Sequence, residues 1–562
     1  MKKKNNFFLV SVLMVVAVFV LVYAGVSLTS NMGKSKAQIT AEDAEKQLNK
    51  LYADITVKTE EPVKGQIDIN PIDVAGSLPD IAKFPITVDN TNDHFVEIFS
   101  STEKAGTGID GWLTEAGTEF NKANITVNGK PASVKIRNIA SGTATDYIQY
   151  GKYIPDAFTP SNEFWGEMVK ASGVKVQLVS KRLVGNVPGI VIKKSKYDAL
   201  VEKYGSVNVK TVTEAIANNE FAMGYTDPFA SSTGLNFLVT ALHTFDSSNI
   251  LGDKAVQGFE KFQSNVPFIA STTIQMRDAA KSGILDGFVL EYQTYINAAD
   301  LKGGYVFTPF GVRHDSPLYG LGDLPPNKLD ILKAFAQFVT QENYQKQANE
   351  KGFNALNDYK SELAEIDGNL LSSAQKVWKE KKNGSKPIVA VFVTDVSGSM
   401  NGEPINRLKE SLLMGQKYLG RDNSIGLVSY SSDVTIELPI GKYDTNQQSM
   451  FVGAVNSLQA NGGTATFDGI VVALKMLQEE LKANPSAKPI IFVLSDGETN
   501  EGHSLKDIRS LIEAYKVPIY TIGYNANIKA LQNISSINEA ASINADTDDV
   551  VYKIGNLFNV QM

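Results

Sequence analysis

Thr394-Asp395-Val396-Ser397-Gly398-Ser399-Met400 follows the apolar run Ile388–Thr394 without a break, and reads as a buried strand opening into a loop on which Asp395, Ser397 and Ser399 alternate. Beyond it the sequence predicts helix 405–419, strand Ile425–Tyr430 with a hairpin partner at 434–440, helices 446–458 and 467–482, and strand Ile490–Leu494. Helix 504–515, strand Ile519–Ile522, helix 527–541 and strand Val550–Tyr552 complete the expected series. Buried strands alternating with helices require a mainly parallel sheet covered on both faces, a doubly wound (Rossmann-like) α/β fold. Ligands of such sheets gather at the carboxyl ends of the strands.

Two more loops fall on that same rim. Gly462-Gly463-Thr464-Ala465-Thr466 precedes helix 467–482, and Ser495-Asp496-Gly497-Glu498 follows strand Ile490–Leu494. A single such loop is explained by helix capping, with Asp395 and the serines satisfying a turn. Three loops on one rim bring hydroxyls and two carboxylates to one place. Mg2+ takes about six oxygens at roughly 2.1 Å and tends to keep water, which suits hydroxyls bound directly and carboxylates reaching through water. With the two carboxylates reaching through water, the ion's direct shell is made of neutral oxygens and keeps a vacant or water-filled position, which a carboxylate from another protein completes; an ion with a purely structural role is the alternative.

These segments, in this order, resemble the von Willebrand factor type A family and its metal-ion-dependent adhesion site over about 387–555. The resemblance implies that Ser397 and Ser399 ligate directly and that Thr464 does so directly or through water. It implies that Asp395 and Asp496 act mostly through water. The implied cofactor is Mg2+, with Mn2+ or Ca2+ as substitutes, and the implied partner is an acidic side chain of a second protein.

Upstream, strand Phe95–Phe99 runs into Ser100-Ser101-Thr102 and a helix-like segment 111–122. Further strands are expected at 133–139, 183–193, 221–225, 286–291 and 304–307, before a closing helix 327–350. The region resembles the type 2 periplasmic (extracellular) solute-binding fold, especially the branch that holds tetrahedral oxyanions such as molybdate. By that resemblance Ser100 or Ser101, Ser141 and Tyr292 are ligand contacts, with Ser231 and Ser232 as further candidates, and two lobes hinge near 183–193 and 290–305. All but Tyr292 precede helices, where free N–H groups favour an anion; helix capping without a ligand explains the same serines equally well.

Lys2, Lys3 and Lys4 precede an uncharged apolar run from Phe7 to about Leu28. Its roughly 22 residues at 1.5 Å each are long enough to cross a bilayer. The lysines stay cytoplasmic by the positive-inside rule. The expected layout is therefore an N-terminal signal anchor at 1–30, a proline-dotted stalk and docking segment at 31–92 and the two-lobed domain at 93–350. A polar, hinge-bearing linker at 351–386 and the doubly wound domain at 387–562 follow. The chain is expected to be a single-pass cell-membrane protein with its bulk outside the cytoplasm, held in the membrane by residues 7–28.

The 562 residues contain no cysteine, which excludes disulfides, thiolate metal sites and thiol nucleophiles. A net charge of −7, with five lysines and no acid in the first 36 residues, argues against nucleic acid as a partner. Four histidines without metal spacing, and no nucleophile elbow, phosphate loop or dinucleotide fingerprint, single out no catalytic residue. Binding of a protein partner, and of a small oxyanion by the first domain, is the expected function; capture for an oxyanion transport system and scaffolding of an envelope complex are the alternatives.

Overall fold

The computed structural model describes residues 39–562 apart from 69, 71–72, 271–275, 277–284, 362, 385, 497–498, 525–530, 533–534, 536–541 and 546–549. The anchor expected at 7–28 lies outside the described residues, as does nearly all of the helix expected at 527–541. Among the described residues no helix is long and apolar enough to cross a membrane.

In the C-terminal part, Ile388–Asp395 is buried along its whole length and occupies the centre of a seven-stranded sheet. Ser424–Tyr430 and Lys488–Ser495 flank it in parallel, Ile519–Tyr524 and Ser542–Ala545 extend one side, and Val434–Lys442 turns back antiparallel on the other. The outermost strand is supplied from far away: Val57–Thr59 pairs in parallel with Val434, Thr435 and Ile436. The helix Ala41–Ala53, capped by the Thr40 side chain, buries Ala44, Leu48 and Leu51 in the core on one face of this sheet. The segment read as stalk and docking segment thus includes an integral edge of the C-terminal sheet.

The strand expected at Val550–Tyr552 is instead the first turn of a helix, Val550–Gln561. Val550, Ile554, Leu557 and Phe558 recur at helical spacing and are buried in the opposite core, against Phe392 and Phe492. The β-branched start suggested a strand; the longer apolar period prevails.

The preceding region forms two lobes. The first is a six-stranded sheet ordered Ile86–Val88, Ser133–Asn138, Phe95–Ser100, Ala157–Thr159, Leu318–Leu321, Val176–Ser180; the second is five-stranded, ordered Phe268–Ala270, Met223–Thr226, Gly287–Glu291, Pro188–Lys193, Tyr305–Pro309. The chain crosses between lobes at 181–187 and 310–317, and the two crossings pair at Asn186 and His314. The second crossing therefore lies beyond the 290–305 expected from sequence, because the strands Gly287–Glu291 and Tyr305–Pro309 belong to the same lobe.

Residues 351–386 are not a free polar hinge. They contain the helix Gly368–Lys381, which buries Leu371, Ala374 and Trp378 at i, i+3 and i+7. Trp378 Nε1 donates to Tyr225 Oη at 2.7 Å and Gln375 Nε2 donates to the Pro228 carbonyl at 2.9 Å. Lys379 and Lys382 reach the carbonyls of Asn559 and Val560 at 3.0 and 2.8 Å, holding the end of the last helix. Cations at a helix C-terminus answer both its dipole and its orphan carbonyls.

Candidate metal centre and solute cleft

At the rim of the seven-stranded sheet, Asp395 is fully buried and both its oxygens are engaged. Oδ1 accepts the Ser397 N–H at 2.9 Å; Oδ2 accepts Ser495 Oγ–H at 2.6 Å and Tyr430 O–H at 3.3 Å. Burial and the Asp395 charge push the Tyr430 phenol far up, keeping it a donor. Asp395 is thus an anchored charge behind the loop, leaving the serines in front.

Ser397 Oγ and Ser399 Oγ lie 3.0 Å apart, and Ser399 Oγ donates to Asp496 Oδ1 at 3.0 Å. Three oxygens from two loops therefore converge. Gly398 N–H donates to the Gly462 carbonyl at 3.0 Å, drawing the glycine loop against the first loop. Gly462 is left-handed at φ 72°, and Thr464, almost buried, is held by its N–H to Asn500 Oδ1 at 2.9 Å. Burial, and after it the charge of the neighbouring Asp395, push the Asp496 carboxyl up.

No group of three or more acidic or histidine side chains is clustered as a cage among the described residues. The donor set at this rim is instead two hydroxyls, a carboxylate and a second carboxylate behind. That set fits an oxygen-coordinated Mg2+ with water in its shell. Of the neighbouring acidic loop, Glu498 lies outside the described residues. The Glu501 carboxylate covers Gly463, where any Cβ would strike it, and His503 Nδ1 pairs with Asp468 Oδ1 at 2.7 Å.

In the two-lobed domain, Ser100, Ser101 and Ser141 are buried at the carboxyl ends of neighbouring strands. Ser141 Oγ lies 3.5 Å from Ser161 Oγ and accepts the Ser161 N–H at 3.3 Å. Ser231 caps its helix, accepting the Gly234 N–H at 3.4 Å, and Ser232 Oγ accepts Trp165 Nε1–H at 2.8 Å from the other lobe. Tyr292 packs edge-on against Phe307 at 5.1 Å.

Charged groups that sequence reading passed over also occupy this cleft. Lys104 is wholly buried, donating to Ser101 Oγ and to the Thr159 carbonyl at 2.9 Å, and pairs with Glu103 at 3.6 Å. At the crossings between lobes, His314 Nδ1 bonds Glu291 Oε1 at 2.6 Å, while its Nε2 faces Asn162 Nδ2 at 3.1 Å and Asn236 Nδ2 at 3.2 Å. Asn186 Nδ2 donates to the other Glu291 oxygen at 2.9 Å. Asn138 Oδ1, Thr159 Oγ1 and Asn162 Oδ1 are buried without a partner.

Residues 390–557 match the family model of the von Willebrand factor type A domain, and residues 104–354 match that of bacterial extracellular solute-binding proteins. The chain joins these two domains. The type A part is 30% identical over 178 residues to inter-alpha-trypsin inhibitor heavy chain H3 of Bos taurus, covering 29% of this chain and 20% of that one. The chain thus spans about a fifth of that curated relative's length. Among solved structures, a von Willebrand factor type A protein from Catenulispora acidiphila is 21% identical, covers 31% of this chain and 42% of its own, and gives a TM-score of 0.28. The periplasmic binding protein AfuA from Actinobacillus pleuropneumoniae is 12% identical, covers 52% of this chain and 99% of its own, and gives a TM-score of 0.38.

Proposed function

We propose that this chain is a membrane-tethered, extracytoplasmic binding protein whose type A domain engages an acidic group of a protein partner through a divalent cation, Mg2+ foremost. Ser397, Ser399 and Thr464 would hold the cation, with Asp395 and Asp496 balancing its charge. When bound, it supplies an electrophilic position for a carboxylate. The observation that carries this reading is the convergence of Ser397 Oγ, Ser399 Oγ and Asp496 Oδ1 in front of a buried, fully bonded Asp395. Capture of envelope partners on the purified full chain, with Mg2+ and with EDTA, tests it. Recovery should depend on Mg2+ and be lost in Ser399→Ala; equal recovery under both conditions sinks the proposal.

A second role, solute capture by the two-lobed domain, draws support from the three orphaned atoms at its strand ends. Two of them are amide oxygens and thus acceptors, and Lys104 is already committed to Ser101, Thr159 and Glu103. A ligand rich in O–H or N–H donors suits that lining better than a bare oxyanion. Thermal shift of the full chain against polyols, amines and molybdate or sulfate discriminates the two. A response to the oxyanions alone favours the transport-linked oxyanion reading, and a flat panel removes solute capture.

A further inference from the structure

The two lobes are joined by more than their crossings. At the start of helix Ser141–Gln149, on the first lobe, the Gly142 N–H donates to the Ala230 carbonyl of the second lobe at 3.4 Å. A Cβ on Gly142 would stand 2.1 Å from the Phe229 carbonyl oxygen, so only glycine lets the two backbones approach this closely. A first-turn N–H that a solute between the lobes could have taken is thus satisfied by the protein's own carbonyl. Trp165 Nε1 of the first lobe also donates to Ser232 Oγ of the second at 2.8 Å, and both side chains are buried.

Helix Gly368–Lys381 bridges the same junction. Its start rests on helix Glu163–Ala171 of the first lobe, where a Cβ on Gly368 would stand 2.1 Å from the Glu167 carbonyl oxygen. Its other end is fixed to the second lobe: Gln375 Nε2 donates to the Pro228 carbonyl, Trp378 Nε1 donates to Tyr225 Oη, and the Trp378 ring centre lies 5.8 Å from that of Phe229. Pro228 and Phe229 lead directly into the Ala230 that meets Gly142, so this helix grips the turn that seats on the first lobe. From Gly368 to Trp378 it is a rod of about 15 Å, and lobes that part must tear one end of it loose.

The apolar core runs through the junction without a break. Ile148 and Trp165 of the first lobe, Tyr225 and Leu238 of the second, and Leu371 and Trp378 of the bridging helix belong to one continuous cluster. Lobes that open and shut on a solute keep separate cores, whereas a shared core makes opening return apolar surface to water. The last helix of the type A domain braces the same arrangement with one contact on each lobe. Tyr552 Oη donates to Thr143 Oγ1 at 3.0 Å and Gln561 Nε2 donates to the Ile269 carbonyl at 3.4 Å.

We propose that the chain holds its own solute-binding lobes closed: the Phe229–Ala230 turn sits at the start of helix Ser141–Gln149 in place of a solute, and helix Gly368–Lys381 clasps it there. The two-lobed domain is then a rigid arm attached to the type A domain, not a trap that waits open. Asn138 Oδ1, Thr159 Oγ1 and Asn162 Oδ1 take no part in these contacts, so the inference holds whether or not they receive a solute.

The chain has no cysteine, so distances between the lobes can be read from spin labels on introduced pairs, Lys122→Cys with Ser195→Cys and Lys122→Cys with Ser247→Cys, all at exposed positions. In the solute-free full chain each pair should give one narrow distance, unchanged on adding sulfate, molybdate or glycerol. Gly142→Ala and Trp378→Ala should each add a second, longer distance. Alanine favours a helix over glycine, so Gly142→Ala should keep its far-ultraviolet circular dichroism while the lobes part, which separates opening from misfolding. A flat thermal-shift panel together with one narrow distance supports this inference while removing solute capture. Two distances in the wild type without solute, a distance that shortens when a solute is added, or the wild-type distance alone in either folded variant overturns the inference; shortening on a solute would at the same time uphold solute capture.

Discussion

Asp227, at the end of strand Met223–Thr226, is 3% exposed and faces Lys379 and Lys382 of the helix that spans the lobes. Burial pushes its carboxyl up from 3.8 to about 6, against the pull of the Phe229 N–H and the two lysines. A raised folded pKa stabilises below the unfolded value and loses that contribution as pH rises through about 6. Asp227→Asn should therefore stabilise the chain relative to wild type at pH 7.5, by up to about 3 kcal/mol, and be nearly neutral at pH 3.5. Melting curves of both proteins across that range check it; a pH-independent difference contradicts it. The metal-site residues divide differently. Ser399→Ala should abolish Mg2+ heat at a stability cost under about 1 kcal/mol, whereas Asp395→Ala strands three donors and should cost about 2–4 kcal/mol in urea titrations with EDTA present. The rim oxygens were legible because their spacing is local: Asp395, Ser397 and Ser399 share one loop, and the strand before it fixes where the loop sits. Lys104, Glu291 and His314 were not, since Lys104 meets the Thr159 carbonyl 55 residues away and His314 meets Asn162 152 residues away. No window of sequence contains such a pair.

The helix Gly368–Lys381 shows what an element contributes when it lies across two lobes. Its Trp378 is fully buried beside Phe229 and bonded to Tyr225. Trp378→Ala should cost about 3–5 kcal/mol, the range for an aromatic core truncation, while Trp378→Phe isolates the indole bond at about 1 kcal/mol plus a small cavity term. Equal losses in the two variants, read by urea denaturation, contradict that split. Elements were readable from sequence wherever one period held. The central strand was plain because its apolar residues are continuous, and helix 111–122 because Trp112, Leu113, Ala116 and Phe120 share a face. The expected helix 327–350 divides at Thr340–Gln341 into Pro326–Val339 and Glu342–Glu350, since the second half turns to bury Tyr344 and Ala348. The 351–386 stretch looked like linker because of its polar run Lys379-Glu380-Lys381-Lys382-Asn383-Gly384-Ser385, and only the spacing of Leu371, Ala374 and Trp378 shows that one face of the preceding residues is apolar.

At the scale of the whole molecule, the chain visits its last domain first. Residues 41–59 cover one face and one edge of the type A sheet before the path turns into the solute-binding lobes, and only the helix Gly368–Lys381 leads it back. The return is anchored from both sides: Lys382 holds the Val560 carbonyl, Tyr552 Oη donates to Thr143 Oγ1 at 3.0 Å, and Lys482 pairs with Glu45 at 2.9 Å. The type A domain is therefore discontinuous in sequence, and the isolated fragment 387–562 leaves Val434–Lys442 as a bare edge and the partners of Leu48 and Leu51 in water. An exposed strand edge beside an apolar patch favours self-association. Burial of the two leucines alone is worth about 4 kcal/mol, which for a domain of this size corresponds to a melting temperature lowered by about 10 °C. The fragment should melt that far below fragment 387–562 supplemented with a saturating synthetic peptide spanning 39–66. A peptide with Leu48→Asp should give no rescue. If the bare fragment melts at the same temperature with and without the peptide, the N-terminal segment is an ornament on a complete fold. A peptide-dependent rise, lost with Leu48→Asp, makes it the missing strand and helix of a fold that the chain begins and finishes more than three hundred residues apart.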